Sequence, residues 1–205
     1  MKGMIKKDLL MIKNNYRILL ITLLIYILYP LMFDIDMSFF LPLMGLIVCI
    51  STLSYDEYNN WHTYVTTLPQ GKINVVKSKY ITTIGMIIIT TLIGIISSCI
   101  MSKLKTNIIL DESLYFFAGE TLALVFMMST LYPITFKFGA EKGRMFSILL
   151  YAIAMVLIKF IKIEGLEQLI NNIKNFMPII IVILSTILIS ISYIISKKIY
   201  LKREF

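Results

Sequence analysis

The sequence predicts an all-α integral membrane protein with six transmembrane helices. Three observations carry that expectation. Hydrophobic residues make up 58% of the 205, against about 45–50% in soluble globular domains. They gather into runs that are apolar on every side, which only an apolar surrounding satisfies. The charges fall mainly between the runs, in stretches of at most about 25 residues, too short for a further domain. Residues 1–205 therefore form a single transmembrane domain.

A spanning helix needs about 20 mainly apolar residues to cross about 30 Å of hydrocarbon. Six segments fit or nearly fit: about 18–33, 39–53, 80–101, 114–136, 145–161 and 176–196. The second is short and contains Pro42. It and the short fifth span require either extension into their polar flanks or local bilayer thinning.

Lysines and arginines gather on the cytoplasmic side of a membrane protein. With the amino terminus inside, the inner segments hold Lys2, Lys6, Lys7, Lys13, Arg17, Lys72, Lys77, Lys79, Lys137, Lys142, Arg144, Lys197, Lys198, Lys202 and Arg203. That is fifteen of the 20 basic residues, and five remain outside. The split predicts both termini inside and an even number of spans. The net charge of +8 thus belongs to orientation, and nucleic acid is not expected as a partner. Cys49 and Cys99 fall inside apolar runs and read as small buried hydrophobes.

Residues 1–17 are not expected to be a cleaved leader, because no small-x-small site follows the first run. On a helical wheel Met1, Met4, Ile5, Leu9, Met11, Ile12 and Tyr16 share a face, with lysines on the adjoining arc. The pattern predicts an interfacial helix against the lipid headgroups. Asp8 and Leu10 break it.

The chain carries few signs of catalysis. No phosphate-binding loop of the Walker type is present. The only histidine is His62, and Asp56 and Glu57 beside it make a poor metal site. No metal or cofactor is expected on this chain.

The informative loop is Ser54–Lys79, on the cytoplasmic side. Tyr55, Tyr58, Trp61 or His62, Val65 and Leu68 recur at three- and four-residue steps, predicting one face of a short helix. Asp56 and Glu57 would lie in its first turn, where the helix dipole favours acids. Pro69 and Gly71 would stop it. Such an aromatic stripe either packs against the protein's own helices and headgroups or docks a cytoplasmic partner.

In a second cytoplasmic loop, Gly139 and Gly143 permit a tight turn, and Glu141, Lys142 and Arg144 follow. Glu141 either pairs with a cation or is solvated. Glu120 is the one acid within a span. It sits near headgroup water at the outer end, or it lines the outer part of a pathway. Ile163, Leu166, Leu169 or Ile170, and Ile173 predict a short amphipathic helix at the outer surface.

Ser54-Tyr55-Asp56-Glu57, Trp61, Leu68-Pro69, Lys72 and Ser78-Lys79-Tyr80 resemble the first cytoplasmic loop of small ABC type-2 permeases. The block Tyr132–Arg144 resembles that family's second cytoplasmic loop, and the tail 196–205 resembles its usual ending. The subgroup most similar exports antimicrobial or cytolytic peptides. The resemblance implies the ABC type-2 exporter fold, placed in the bacterial cytoplasmic membrane. It implies a non-catalytic permease that works with a second permease and a separate ABC ATPase subunit, which carries ATP and Mg. A coupling helix bearing Tyr55, Asp56, Glu57, Tyr58, Trp61 and Leu68 would seat on that ATPase. The alternative is a stand-alone membrane immunity or holin-like protein whose loops only pack.

Overall fold

The computed structural model describes residues 1–14, 20, 21, 24, 25, 40–104, 110–146, 149 and 177–203. The expected spans at 18–33 and 145–161 lie outside these residues apart from a few isolated positions, and the outer amphipathic helix lies wholly outside them.

The chain opens with helix α1 (Lys2–Asn14), followed among the described residues by α2 (Phe40–Tyr58), α3 (Trp61–Thr66), α4 (Gly71–Leu104), α5 (Leu110–Phe138) and α6 (Met177–Lys202). Residues 140–146 form a further helical stretch. No strand occurs among the described residues. Helices α4, α5 and α6 are long and apolar enough to cross a membrane.

The helices outrun the hydropathy that announced them. The 80–101 span is the middle of the 34-residue α4, about 51 Å long at 1.5 Å per residue. α2 carries the segment expected at 39–53 on into the loop, continuing to Tyr58. Pro42 sits in the first turn of α2, where a missing N–H costs no helical bond.

Helix α4 touches every other helix named above. Its neighbours close around a core that includes Leu46, Leu53, Val65, Val75, Tyr80, Met128, Tyr132, Phe136 and Tyr200. Aromatic rings run through it edge to face. Tyr80 meets Tyr132 at 5.0 Å and Tyr193 at 5.6 Å between centroids, and Phe136 meets Tyr200 at 5.1 Å.

Pro133 lies inside α5. It cannot donate to the carbonyl of Ser129, four residues back. That carbonyl instead accepts from the Ser192 hydroxyl of α6 at 2.7 Å. Ser192 Oγ is in turn 2.5 Å from the Tyr80 hydroxyl, which also lies 2.8 Å from Ser196 Oγ. A bond lost within one helix thus becomes polar adhesion among three, as a membrane interior requires. Ile189, Ser192, Tyr193, Ser196, Ile199 and Tyr200 form the inner stripe of α6. Its remaining surface bares Ile179, Val182, Ile183, Ile187, Ile191 and Ile194.

α1 corrects the expected interfacial face. Its buried residues are Met4, Asp8 and Ile12, spaced by four and aimed at the protein. Leu9 and Leu10 are exposed. Asp8 therefore does not break the pattern. It is the centre of the packed face.

Candidate functional site: the groove at the polar end of the bundle

The ends of α2, α5 and α6 and the starts of α4 and the 140–146 stretch meet at one end of the bundle. Asp56 and Glu57 occupy the last turn of α2, against the expectation of a separate helix running from Tyr55 to Leu68. α2 runs on unbroken through Ser54–Tyr58 and so absorbs the start of the expected loop helix. The break comes at Asn60, whose φ of 50° is left-handed. Asn59 Nδ2 donates to the Tyr55 carbonyl at 2.9 Å and satisfies part of the helix end. Only Trp61–Thr66 remains as a separate helix, ending before Pro69 as the sequence suggests.

Carboxylates at a helix C-terminus oppose the dipole, so each needs a positive partner. Asp56 is fully buried. Lys7 Nζ lies 2.5 Å from its Oδ1, and Lys79 Nζ lies 2.7 Å from its Oδ2. Asp8 joins the same cluster, 2.8 Å from Lys79 Nζ and 3.3 Å from Lys7 Nζ. Lys79 also donates to Thr52 Oγ1 at 2.9 Å. Two acids and two lysines balance their charge, all but Lys7 out of water, and stripping one partner from a buried set typically costs about 3–5 kcal/mol. Asp56 therefore cannot touch a docking partner. Its neighbours in the sequence can.

Glu57 turns the other way. Its Oε2 accepts from the Ala140 N–H at 2.5 Å, placing a carboxylate at the start of the 140–146 stretch, where the dipole favours it. The turn that presents this N–H needs Gly139. Its φ is +93°, and a Cβ there would stand 2.4 Å from Glu57 Oε1. Gly143, expected in the turn, lies instead within the helical stretch and lets it approach Thr135.

Tyr55 and Tyr58, one helical turn apart, face outward, and Tyr58 is 85% exposed. With Ser54, Glu57, Ala140, Glu141 and Arg144 they line an open groove of about 460 Å³. Ser54 Oγ has no hydrogen-bond partner among the described residues. The two sequence blocks singled out separately thus form one surface, joined by Glu57. Lys142 is exposed but does not line it.

Trp61 and Leu68 belong elsewhere. Both are partly buried against the core, and Lys7 Nζ sits 4.4 Å above the Trp61 ring. They brace the turn from behind. His62 meets the Tyr200 hydroxyl at 2.6 Å through Nδ1. Burial lowers its pKa from the usual value, against the opposing pull of Asp56. Lys72 donates to the Arg203 carbonyl at 2.7 Å, and Arg203 to the Phe136 carbonyl at 3.1 Å, tying the end of α6 to this cluster.

Glu120 stays apart from the groove. It is half-buried in α5, three residues into the apolar window that starts at Phe117. Its Oε2 has no hydrogen-bond partner among the described residues. No metal-ligating group forms among the described residues.

Sequence reasoning missed Asp8 and Lys79 as functional candidates. The signal was present: an acid on the otherwise apolar face of α1, and a lysine at the edge of a long apolar run.

Long apolar helices, bare aliphatic flanks and internally satisfied polar groups define a multi-pass helical membrane protein. More particularly, the chain belongs to the ABC-2 family transporter proteins, whose family model matches residues 3–201. Proteins of this family are membrane permeases and generally non-catalytic. No curated protein and no solved structure matches the chain.

Proposed function

We propose that the chain is the permease subunit of an ATP-driven ABC exporter, and that a separate ATPase subunit docks in the groove between the end of α2 and the 140–146 stretch. The observation that carries this reading is the Glu57–Ala140 hydrogen bond. It fuses the two loop blocks into one open surface with two outward tyrosines, and aromatics are common interface anchors. These 205 residues carry no Walker-type nucleotide-binding loop, which fits a separate ATPase subunit as the source of the driving energy. The coupling element is the end of a span helix plus a short turn, which would pass a push at Tyr55 or Tyr58 directly into α2.

A second permease, identical or paralogous, would cover the bare aliphatic faces of α4 and α6 and complete the pathway. Short outer segments leave no room for an external capture domain, which favours outward movement. Peptides or other amphipathic compounds are the cargo class we infer, and Glu120 is the candidate pathway residue. The polar end of the bundle would face the cytoplasm, with both termini.

Co-purification with the ATPase encoded beside it tests the reading. Tyr58→Ala should abolish recovery of the ATPase while leaving the melting temperature in detergent unchanged, since so exposed a ring contributes little to the fold. Trp61→Ala is the poorer test, because it also removes packing beneath Lys7. Full activity in cells without any ATPase would support the immunity or holin-like alternative.

A further inference from the structure

The charge cluster of Lys7, Asp8, Asp56 and Lys79 is placed where a fold has little need of it. These residues come from three helices, α1, α2 and α4, and the contacts that reach α1 span 49 positions for Lys7–Asp56 and 71 for Asp8–Lys79. Asp8, Asp56 and Lys79 are essentially inaccessible to solvent. None of the four lines the groove. Yet Asp56 sits between Tyr55 and Glu57, so the cluster fastens the groove wall from behind.

Buried charges restrict how the helices can move. If the end of α2 shifted while α1 and α4 stayed, Asp56 would part from Lys7 and Lys79 where neither Asp56 nor Lys79 can be hydrated. That separation is strongly disfavoured. Movement of the three helices together leaves every pair intact. Met4 and Ile12, on either side of Asp8 along the buried face of α1, add apolar contact to the same unit.

We infer that Lys7 and Asp8, the first directly on Asp56 and the second through Lys79, are positioning residues that join α1 and the docking turn into one rigid unit, so that force delivered at the groove reaches the amino-terminal helix. This inference rests on the groove being the ATPase-docking site. It assigns α1 a part in the power stroke that an interfacial anchor alone would not have.

Hydrogen–deuterium exchange over residues 2–14 tests it, using the full chain with its ATPase in nanodiscs. Exchange is compared without nucleotide and after trapping with ATP and vanadate. Wild type should show a change over 2–14 on trapping. Lys7→Gln/Asp8→Asn, which removes both ionic ties of α1 and leaves Asp56 paired with Lys79 at unchanged net charge, should lose that response while still binding the ATPase. Asp8→Asn alone, which leaves Lys7 on Asp56, keeps the test usable if the double variant folds poorly, and it should weaken the response. An undiminished response in either variant overturns the inference, as does an unresponsive 2–14 in wild type. Failure of the variants alone to bind the ATPase overturns it in favour of a purely structural role. An ATPase that does not bind wild type overturns the docking reading itself, a result seen before nucleotide is added.

Discussion

Single residues at the polar end are held by requirements that substitution exposes. Gly139 combines a left-handed φ with a side-chain position already filled by Glu57. Gly139→Ala adds backbone strain of about 1–3 kcal/mol and displaces the carboxylate that holds Ala140. Its melting temperature in detergent should fall, and recovery of the ATPase should fall with it. Ser192→Ala acts in the bundle interior. It strands the Ser129 carbonyl that Pro133 left unbonded and removes a partner of the Tyr80 hydroxyl. An unsatisfied buried group costs about 1–3 kcal/mol, so thermal unfolding should show destabilisation of that order. Ser192→Thr, which keeps the hydroxyl, should recover part of it. His62 supplies a pH dependence of definite sign. Burial lowers its folded pKa below the usual 6.5, so the folded state binds fewer protons than the unfolded chain in that window. Its contribution is complete above about pH 6.5 and is lost as pH falls from there through the lowered value. Melting temperature measured from pH 7.5 down to 5.5 should decline in wild type and change less in His62→Gln.

At the scale of elements, the sequence was informative wherever the signal was local. Apolar runs located α4, α5 and α6, and Pro69 correctly ended the loop helix. The aromatic spacing from Tyr55 to Leu68 misled, because a period of three to four residues continues across a helix break as easily as along one helix. Asn60 adopts a left-handed turn that no periodicity reports, and Tyr55 and Tyr58 therefore belong to the end of α2. The charge cluster was only partly legible, for a different reason. Asp8 on an otherwise apolar face and Lys79 at the edge of an apolar run stand out singly, while Lys7 and Asp56 resemble solvated charge in their own neighbourhoods. Only the packing of α1 across α4 brings them together. The same holds for Glu57 and Ala140, 83 residues apart, whose meeting turns two loop motifs into one groove.

At the scale of the whole molecule, the division of positive charge predicted which segments share a side, and the geometry gathers those segments at one end. Lys7 meets Asp56, Glu57 meets Ala140, and Lys72 meets the Arg203 carbonyl. Each contact joins stretches assigned to the same side by counting lysines. Lys103, in the last turn of α4, is one of the five basic residues assigned to the other side, and it is exposed. The 51 Å or so of α4 separates it from the groove by more than a bilayer core. This arrangement makes sidedness measurable in intact cells, in a background with Cys49 and Cys99 replaced by alanine. Lys103→Cys should react with a membrane-impermeant thiol reagent added outside. Lys142→Cys, exposed beside the groove without lining it, should react only after the cells are permeabilised. The reverse pattern would place the groove outside, away from ATP, and would remove the physical basis for an ATPase partner. Equal labelling of both from outside would mean that α5, which joins the two positions, does not cross the membrane.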